Sequence, residues 1–208
     1  MAAPTLVMAT RNPGKIRELR QILKDLDVHL LSLDDFPELP EIPERGPTFA
    51  ENAAAKAREV ARLTGLPALA DDSGLEVAAL RGRPGVWSAR YAQDRTAPAP
   101  PSDEDNWRKL LEEMAGVPLE ARGARFVCEI ALALPDGRLF KAHGECAGRI
   151  ALTPQGEQGF GYDPVFALPE YGRTMAELGP RVKNRLSHRA RALAALKELL
   201  LSLRAELS

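Results

Sequence analysis

Four short segments gather residues whose types and spacing could handle a phosphorylated ligand. The first is Thr10-Arg11-Asn12-Pro13-Gly14-Lys15, which follows a β-branched apolar run at 5–9 and leads into Ile16, Leu19, Ile22, Leu23 and Leu26 at helical spacing. A strand entering a helix through Asn, Pro and Gly offers free backbone N–H groups and the positive end of the helix dipole, and Lys15 adds a full charge. That suits phosphate; the plainer alternative is that Asn12 caps the helix, Pro13 opens it and Lys15 is solvated. The second is Asp71-Asp72-Ser73-Gly74, expected at the end of a short apolar strand at 67–70. Two adjacent carboxylates there are costly unless a cation or proton accompanies them, and hard oxygen donors so placed suit Mg²⁺. The pleat lets only one of them face a pocket, and an Asx turn is the plainer alternative.

Gly159-Phe160-Gly161-Tyr162-Asp163-Pro164 is the third segment. Its glycines let an aromatic ring approach a flat ligand, and Asp163 can accept hydrogen bonds from a base edge; base–aromatic stacking is worth ~1–3 kcal/mol. An aromatic anchor for a loop is the alternative. The fourth is Lys183 with Ser187, His188 and Arg189 before and at the start of the last helix. Cations at a helix N-terminus oppose its dipole, which a bound anion would offset; an ordinary basic surface turn would look the same. His29 and His143 lie apart from these groups and take structural roles.

The elements that must position these residues alternate early. A strand at 5–9, a helix and a strand at 28–33 make a βαβ unit, hence a parallel pair. Thr48-Phe49-Ala50-Glu51 opens a helix that Gly65 stops after about Thr64. A further strand is expected at 75–80, closed by Gly82-Arg83-Pro84-Gly85. A mobile Pro-rich connection at 94–101, and a helix at about 103–115, follow. Strands at 126–134 and 139–147 flank Pro135-Asp136-Gly137 as an antiparallel hairpin, so the sheet is mixed. A short strand at 164–168 precedes a final helix carrying Leu193, Leu196, Leu199, Leu200 and Leu203 on one face.

The 208 residues fit one domain or one domain with a small lobe, and hydrophobic (45%) and charged (27%) fractions exclude a collagenous or largely disordered chain. A net charge of -1 argues against a dedicated nucleic-acid binder. No run approaches the ~20 apolar residues of a membrane span, and residues 1–10 lack the features of a secretory signal, so a cytoplasmic protein is expected. Cys128 and Cys146, with no CxxC or Cys/His spacing, read as small buried side chains.

Five segments then occur in a telling order: Thr-x-Asn-x-x-Lys, Ala-Asp-Asp-Ser-Gly, Gly-Val-x-Ser-Ala-Arg-Tyr, Phe-Gly-Tyr-Asp-Pro and Ser-His-Arg. Together they resemble the inosine triphosphate pyrophosphatase family, the house-cleaning non-canonical purine nucleoside triphosphatases, from Leu6 to about Leu196. The resemblance implies one α/β domain over the whole chain, an elongated mixed sheet flanked by helices in two lobes around a central nucleotide-binding cleft, and a homodimer. It implies Mg²⁺-dependent hydrolysis of ITP, dITP or XTP to the monophosphate and pyrophosphate. By the same resemblance Thr10, Arg11, Asn12, Pro13, Gly14 and Lys15 hold the triphosphate, with Lys15 also catalytic. Asp72 is proton acceptor and metal ligand, and Ser73 touches substrate. Phe160, Gly161, Tyr162 and Asp163 frame base and sugar, and Lys183, His188 and Arg189 complete recognition. A second metal-binding acid falls on Glu44, preceded by Pro43 where relatives can carry an acid. The nearest rival is a Maf-type nucleotide pyrophosphatase, against which the Phe-Gly-Tyr-Asp and Ser-His-Arg segments argue. A non-catalytic nucleotide-binding module is the rival from another class.

Overall fold

The structure is a computed structural model, and it describes residues 3–202. In chain order the first elements are β1 (Thr5–Met8), α1 (Pro13–Ile22), β2 (His29–Ser32), α2 (Phe49–Thr64) and β3 (Ala68–Val77). There follow α3 (Gln93–Thr96), α4 (Asp103–Glu113), β4 (Gly123–Ala133) and β5 (Leu139–Ile150). The chain closes with β6 (Phe166–Leu168), β7 (Arg173–Thr174), α5 (Met175–Leu186) and α6 (His188–Ser202). The strands form a mixed sheet in the order β2-β1-β3-β4-β5-β6-β7. β1 runs parallel to β2 and β3, whereas β6 is antiparallel to β5 and β7. β4 and β5 are joined through a tight turn in which the Leu134 amide donates to the Arg138 carbonyl at 2.9 Å, which makes them antiparallel.

The chain divides into two compact units, the first built from residues 1–72, 128–144 and 188–208 and the second from 73–127 and 145–187. In the first, strand alternation separates two apolar faces. Leu6, Met8 and Leu69 join Ile16 and Leu19 of α1 and Leu193 and Leu196 of α6. Val7, Ala9, Ala68 and Ala70 meet Ala53, Ala57, Val60 and Ala61 of α2, whose small side chains bring that helix close to the strands. The second unit packs Leu75, Val77, Leu110, Met114, Phe126, Phe166 and Met175 together, with the Phe126 and Phe166 ring centroids 4.4 Å apart. Arg122, 3% exposed, donates to the carbonyls of Met114, Ile150 and Ala151 at 2.8, 2.9 and 3.0 Å, so a buried charge ties the end of α4 to the end of β5.

Helix boundaries follow the local signals. Asn12 Oδ1 caps α1 by accepting from the Lys15 amide at 3.0 Å with Pro13 opening the helix, and Gly65 ends α2 at φ 67, the left-handed conformation a glycine adopts without cost. Four expectations are corrected. Asp71-Asp72-Ser73-Gly74 does not end a strand; it lies inside β3, which runs on to Val77 between β1 and β4, so pairing with strands distant in sequence overrides local turn chemistry. Residues 94–101 are not a bare connection: α3 forms there, and Thr96 Oγ1 and Gln93 Nε2 both donate to the Ala99 carbonyl at 3.0 Å. The helical spacing read through Leu26 stops at Ile22, though Leu26 remains buried. α5 and β7 were not foreseen, although Thr174 and Glu177 form a reciprocal cap at the start of α5; Gly179 at φ 73 followed by Pro180 kinks the helix and hides its periodicity. Leu203 lies outside the described residues.

Leu132, fully buried in β4, tests the packing of the first unit. Leu132→Ala is expected to cost ~2–5 kcal/mol, measured as a lowered urea midpoint, and a loss under ~1 kcal/mol would contradict a close-packed core there.

Candidate active site

In the first unit the strongest feature is Asp71, 1% exposed in β3. Its Oδ1 is 2.7 Å from Lys15 Nζ, and Arg189 donates from Nη2 to Oδ1 at 3.2 Å and from Nε to Oδ2 at 2.8 Å. The Cys128 thiol also donates to Oδ2, at 3.0 Å. Burial alone would push the Asp71 carboxyl up, but Arg189 and Lys15 hold it well below the usual carboxylate range. Burial likewise opposes the Lys15 ammonium, but Asp71 and Asp72 together outweigh burial and the nearby Arg189 charge, so its pKa is raised. Burial and the neighbouring Asp71 charge push the Cys128 thiol up, which keeps it a proton donor. Arg189 Nη1 extends the chain of charges to Glu18 on α1.

Asp72 points to the other side of the strand and meets a different set. Burial pushes its carboxyl up to about 6; Lys15 pulls it down, Glu44 pushes it up, and Lys56 and a hydrogen bond from Asn52 pull it down. Lys56 pairs with Glu44 and also donates to the Asp71 carbonyl at 3.2 Å, beside Lys15 Nζ at 3.1 Å from the same oxygen. Asn52 in turn binds Gly46, accepting from its amide at 2.7 Å, which fixes the loop that carries Glu44. Among the described residues of this network, Lys15, Lys56 and Arg189 face Glu18, Glu44, Asp71 and Asp72, three positive groups against four carboxylates. Among these groups positive charge does not exceed negative charge.

Thr10 Oγ1 accepts from the Asn12 amide at 3.1 Å, Gly14 is buried in the first turn of α1, and Arg11 is exposed with Nη2 3.3 Å from the Phe36 and Leu39 carbonyls. His188 opens α6 and is 5% exposed.

The second unit holds the glycine-aromatic loop. Asp163, 1% exposed, accepts from the Phe160 amide at 2.9 Å and from Lys183 Nζ, and that ammonium lies 4.4 Å from the Phe160 ring centroid. The Gly161 amide donates to Asp103 Oδ2 at 2.6 Å, and Tyr162 donates to the Ser88 carbonyl at 2.8 Å. Burial pushes the Tyr162 phenol up, so it stays neutral. Gly159 has φ +88, and a Cβ there would fall 2.0 Å from Asp163 Oδ2, so the glycine makes room for the carboxylate that shapes the loop.

Comparison with known proteins adds to this geometry. Residues 6–199 match the model of the Ham1 family. The chain belongs to the Ham1 family. A dITP/XTP pyrophosphatase of Geobacter sulfurreducens is 55% identical over 93% of this chain and 94% of that protein, and one of Geobacillus kaustophilus is 51% identical over 93% and 92%. A HAM1 protein from Coxiella burnetii has a similar structure, with a TM-score of 0.84 and 43% identity over 96% of this chain and 99% of that one. A Mycobacterium abscessus nucleoside-triphosphatase described as a dITP/XTP pyrophosphatase gives 0.72 and 46% over 92% and 98%. The α/β fold with a mixed sheet and flanking helices is therefore the Ham1 fold.

Within this Ham1 chain the structure brings Lys15, Asp71, Asp72, Glu44 and Arg189 together, and separately Phe160, Asp163 and Lys183. Three expected placements change. Arg189 was grouped with Lys183 to meet substrate; its guanidinium instead serves Asp71 and Glu18 and is 1% exposed. Tyr162, expected to help frame the base, is 4% exposed and anchors its loop, leaving Phe160 as the reachable ring. Asp163, expected to accept from a base edge, meets Lys183 and the Phe160 amide. The sequence reading missed Asn52, Lys56 and Glu18. Asn52 and Lys56 share an arc of α2 with Ala53, Ala57 and Val60, all buried, and polar residues on an apolar face were the available signal.

Because Asp71 is held below its unfolded range, the stability it contributes is present above about pH 4 and is lost as pH falls through its folded pKa. Asp71→Asn is expected to cost ~3–5 kcal/mol at neutral pH, since it strands buried positive charge, and to flatten the acid limb of stability. Urea unfolding followed from neutral to acid pH checks this; an unchanged acid limb contradicts it.

Proposed function

We propose that this Ham1 chain hydrolyses non-canonical purine nucleoside triphosphates, dITP, ITP and XTP, to the monophosphate and pyrophosphate, and so clears deaminated purines from the nucleotide pool. The observation that carries the reading is the balance of charge around Asp72. A carboxyl with its pKa raised to about 6 beside a second carboxylate, with two lysines but no net positive charge, suits a divalent cation arriving with phosphate. Asp72 and Glu44 supply hard oxygens, and among the described residues no three His, Cys, Asp or Glu gather to hold a metal alone. Mg²⁺, which keeps waters and phosphate oxygens in its shell, fits that donor set. When bound it would withdraw charge from the phosphates as pyrophosphate leaves.

The chain's own groups do the rest. Asp72 accepts the proton of the water whose oxygen bonds to the α-phosphorus while the α–β bridging bond breaks. A base with a pKa of about 6 is charged at neutral pH yet close enough to it to take a proton. Lys15 and the amides of the first turn of α1, in the segment from Thr10 through Arg11, Asn12, Pro13 and Gly14, hold the departing phosphates. Phe160 stacks on the base with Gly161, Tyr162 and Asp163 shaping its loop, and Ser73 contacts the nucleotide. Lys183 donates to the 6-oxo group that hypoxanthine and xanthine carry and adenine lacks, which leaves ATP with an unmatched amine. Arg189 contributes through Asp71. The partner is a free nucleotide rather than nucleic acid, in keeping with the net charge of -1. We place the enzyme in the cytoplasm, as a homodimer. No helix among the described residues is long and apolar enough to cross a membrane.

Pyrophosphate release from ITP, XTP, dITP, ATP, GTP, dTTP and 7-methyl-GTP, with Mg²⁺ and with chelator, tests the reading. Mg²⁺-dependent release from ITP, XTP and dITP alone supports it; orthophosphate release, or activity confined to dTTP or 7-methyl-GTP, moves the enzyme to the Maf-type reading, and no release leaves a binding module. Asp72→Asn is expected to lower kcat ~10²–10⁴-fold with nucleotide binding still measurable. It should also remove a fall in kcat/KM as pH drops through about 6, where the wild-type base gains its proton. Near wild-type kcat in that variant would falsify the role of Asp72. Lys183→Ala should reduce the ITP-to-ATP ratio of kcat/KM by about tenfold or more; an unchanged ratio sinks the donor assignment.

A further inference from the structure

Glu18 belongs to none of the segments that suggested chemistry. It is 7% exposed on α1, three residues after Lys15, with its carboxylate on Arg189 Nη1. Arg189 donates to both oxygens of Asp71 at 2.8 and 3.2 Å, and Asp71 Oδ1 is 2.7 Å from Lys15 Nζ. Charge thus alternates from Glu18 through Arg189 and Asp71 to Lys15, with both ends of the series on one helix. Asp71 Oδ1 is the contested atom, since Lys15 and Arg189 both reach for it. Arg189 has little room to withdraw. Gly144 of β5 lies so close to the first turn of α6 that a Cβ there would come within 2.2 Å of the His188 carbonyl oxygen and 2.4 Å of the Ala192 nitrogen.

We propose that Glu18 is a positioning residue for the hydrolysis: by holding Nη1 of Arg189 it leaves Asp71 Oδ1 to Lys15 and fixes that ammonium beside the first turn of α1. The inference rests on the proposed function and adds a residue to it. Glu18→Gln keeps the shape and drops the charge. Arg189 then commits its whole charge to Asp71, and Lys15 loses its hold. Removing a buried negative charge does not weaken the attraction for polyphosphate, so binding survives while the positioning of the leaving phosphates does not.

The test compares the full-length wild type with Glu18→Gln and Glu18→Asp. It measures kcat for dITP with Mg²⁺, Kd for inorganic tripolyphosphate with Mg²⁺ by calorimetry, and thermal melting. Glu18→Gln is expected to lower kcat about three- to thirty-fold with Kd unchanged or tighter, and Glu18→Asp, which restores the charge at shorter reach, to recover part of the loss. Three results overturn the proposal: kcat within twofold of wild type in a folded Glu18→Gln protein, a kcat loss that tracks the fraction folded, or a loss matched by equally weaker tripolyphosphate binding. Should Glu18→Gln not fold, Glu18→Asp decides, because wild-type kcat and Kd in that variant overturn the proposal. A wild-type protein that releases no pyrophosphate from dITP defeats the functional reading itself, and this inference with it.

Discussion

The first unit is organised around one carboxylate that water cannot reach. Asp71 is buried in the middle of a strand, and an isolated charge there would be prohibitive. It is tolerated because a lysine from α1, an arginine from α6 and a thiol from β4 converge on its two oxygens. Each of those groups is in turn made possible by the carboxylate: Lys15 stays charged despite burial, and Arg189 can lie under the surface. Removing Asp71 would leave Lys15 and Arg189 as poorly compensated buried charges.

The pleat of β3 divides the labour between two neighbouring acids. Asp71 faces the ion cluster and is fixed in its ionised form, while Asp72, one residue on, faces Glu44, Asn52 and Lys56 and is drawn towards neutrality. Similar side chains thus acquire opposite proton affinities from the sides of the strand they face. Asp71 is the scaffold acid, and Asp72 is the one whose pKa is raised, to about 6. The alanine-rich face of α2 serves the same division, since it lets Lys56 and Asn52 approach the strand closely enough to act on it.

Much of this was legible in the residues. Asn12, Pro13, Thr48 and Gly65 act through their own backbone neighbourhoods, so the start of α1 and both ends of α2 fell where local chemistry puts them. The ordered segments pointed to the family that the chain proves to belong to. What escaped was set by distant partners. Asp71-Asp72-Ser73-Gly74 has turn chemistry, but it lies in a strand between β1 and β4, and Lys15 and Arg189, far away in sequence, meet its buried charge. Arg189 looked like part of a basic turn with Lys183, yet Lys183 meets Asp163 and Arg189 meets Asp71. The periodicity of α5 was broken by its Gly179-Pro180 kink even though its cap was written plainly in Thr174 and Glu177.

The sequence separation inside the ion cluster bears on how the protein is made. Arg189 follows Asp71 by 118 residues and Glu18 by 171, and the first unit draws on three separate stretches of chain. On a ribosome, β1, α1, β2, α2 and most of β3 emerge long before α6 does. Until that last helix is released, Asp71 and Lys15 have no guanidinium between Asp71 and Glu18, and the apolar face awaiting Leu193 and Leu196 is uncovered. Native contacts of such long range close late and slowly. The first unit is therefore completed only after α6 has been made, and a chain cut short before residue 188 would carry nearly all of the recognisable motifs without the guanidinium that links Asp71 to Glu18.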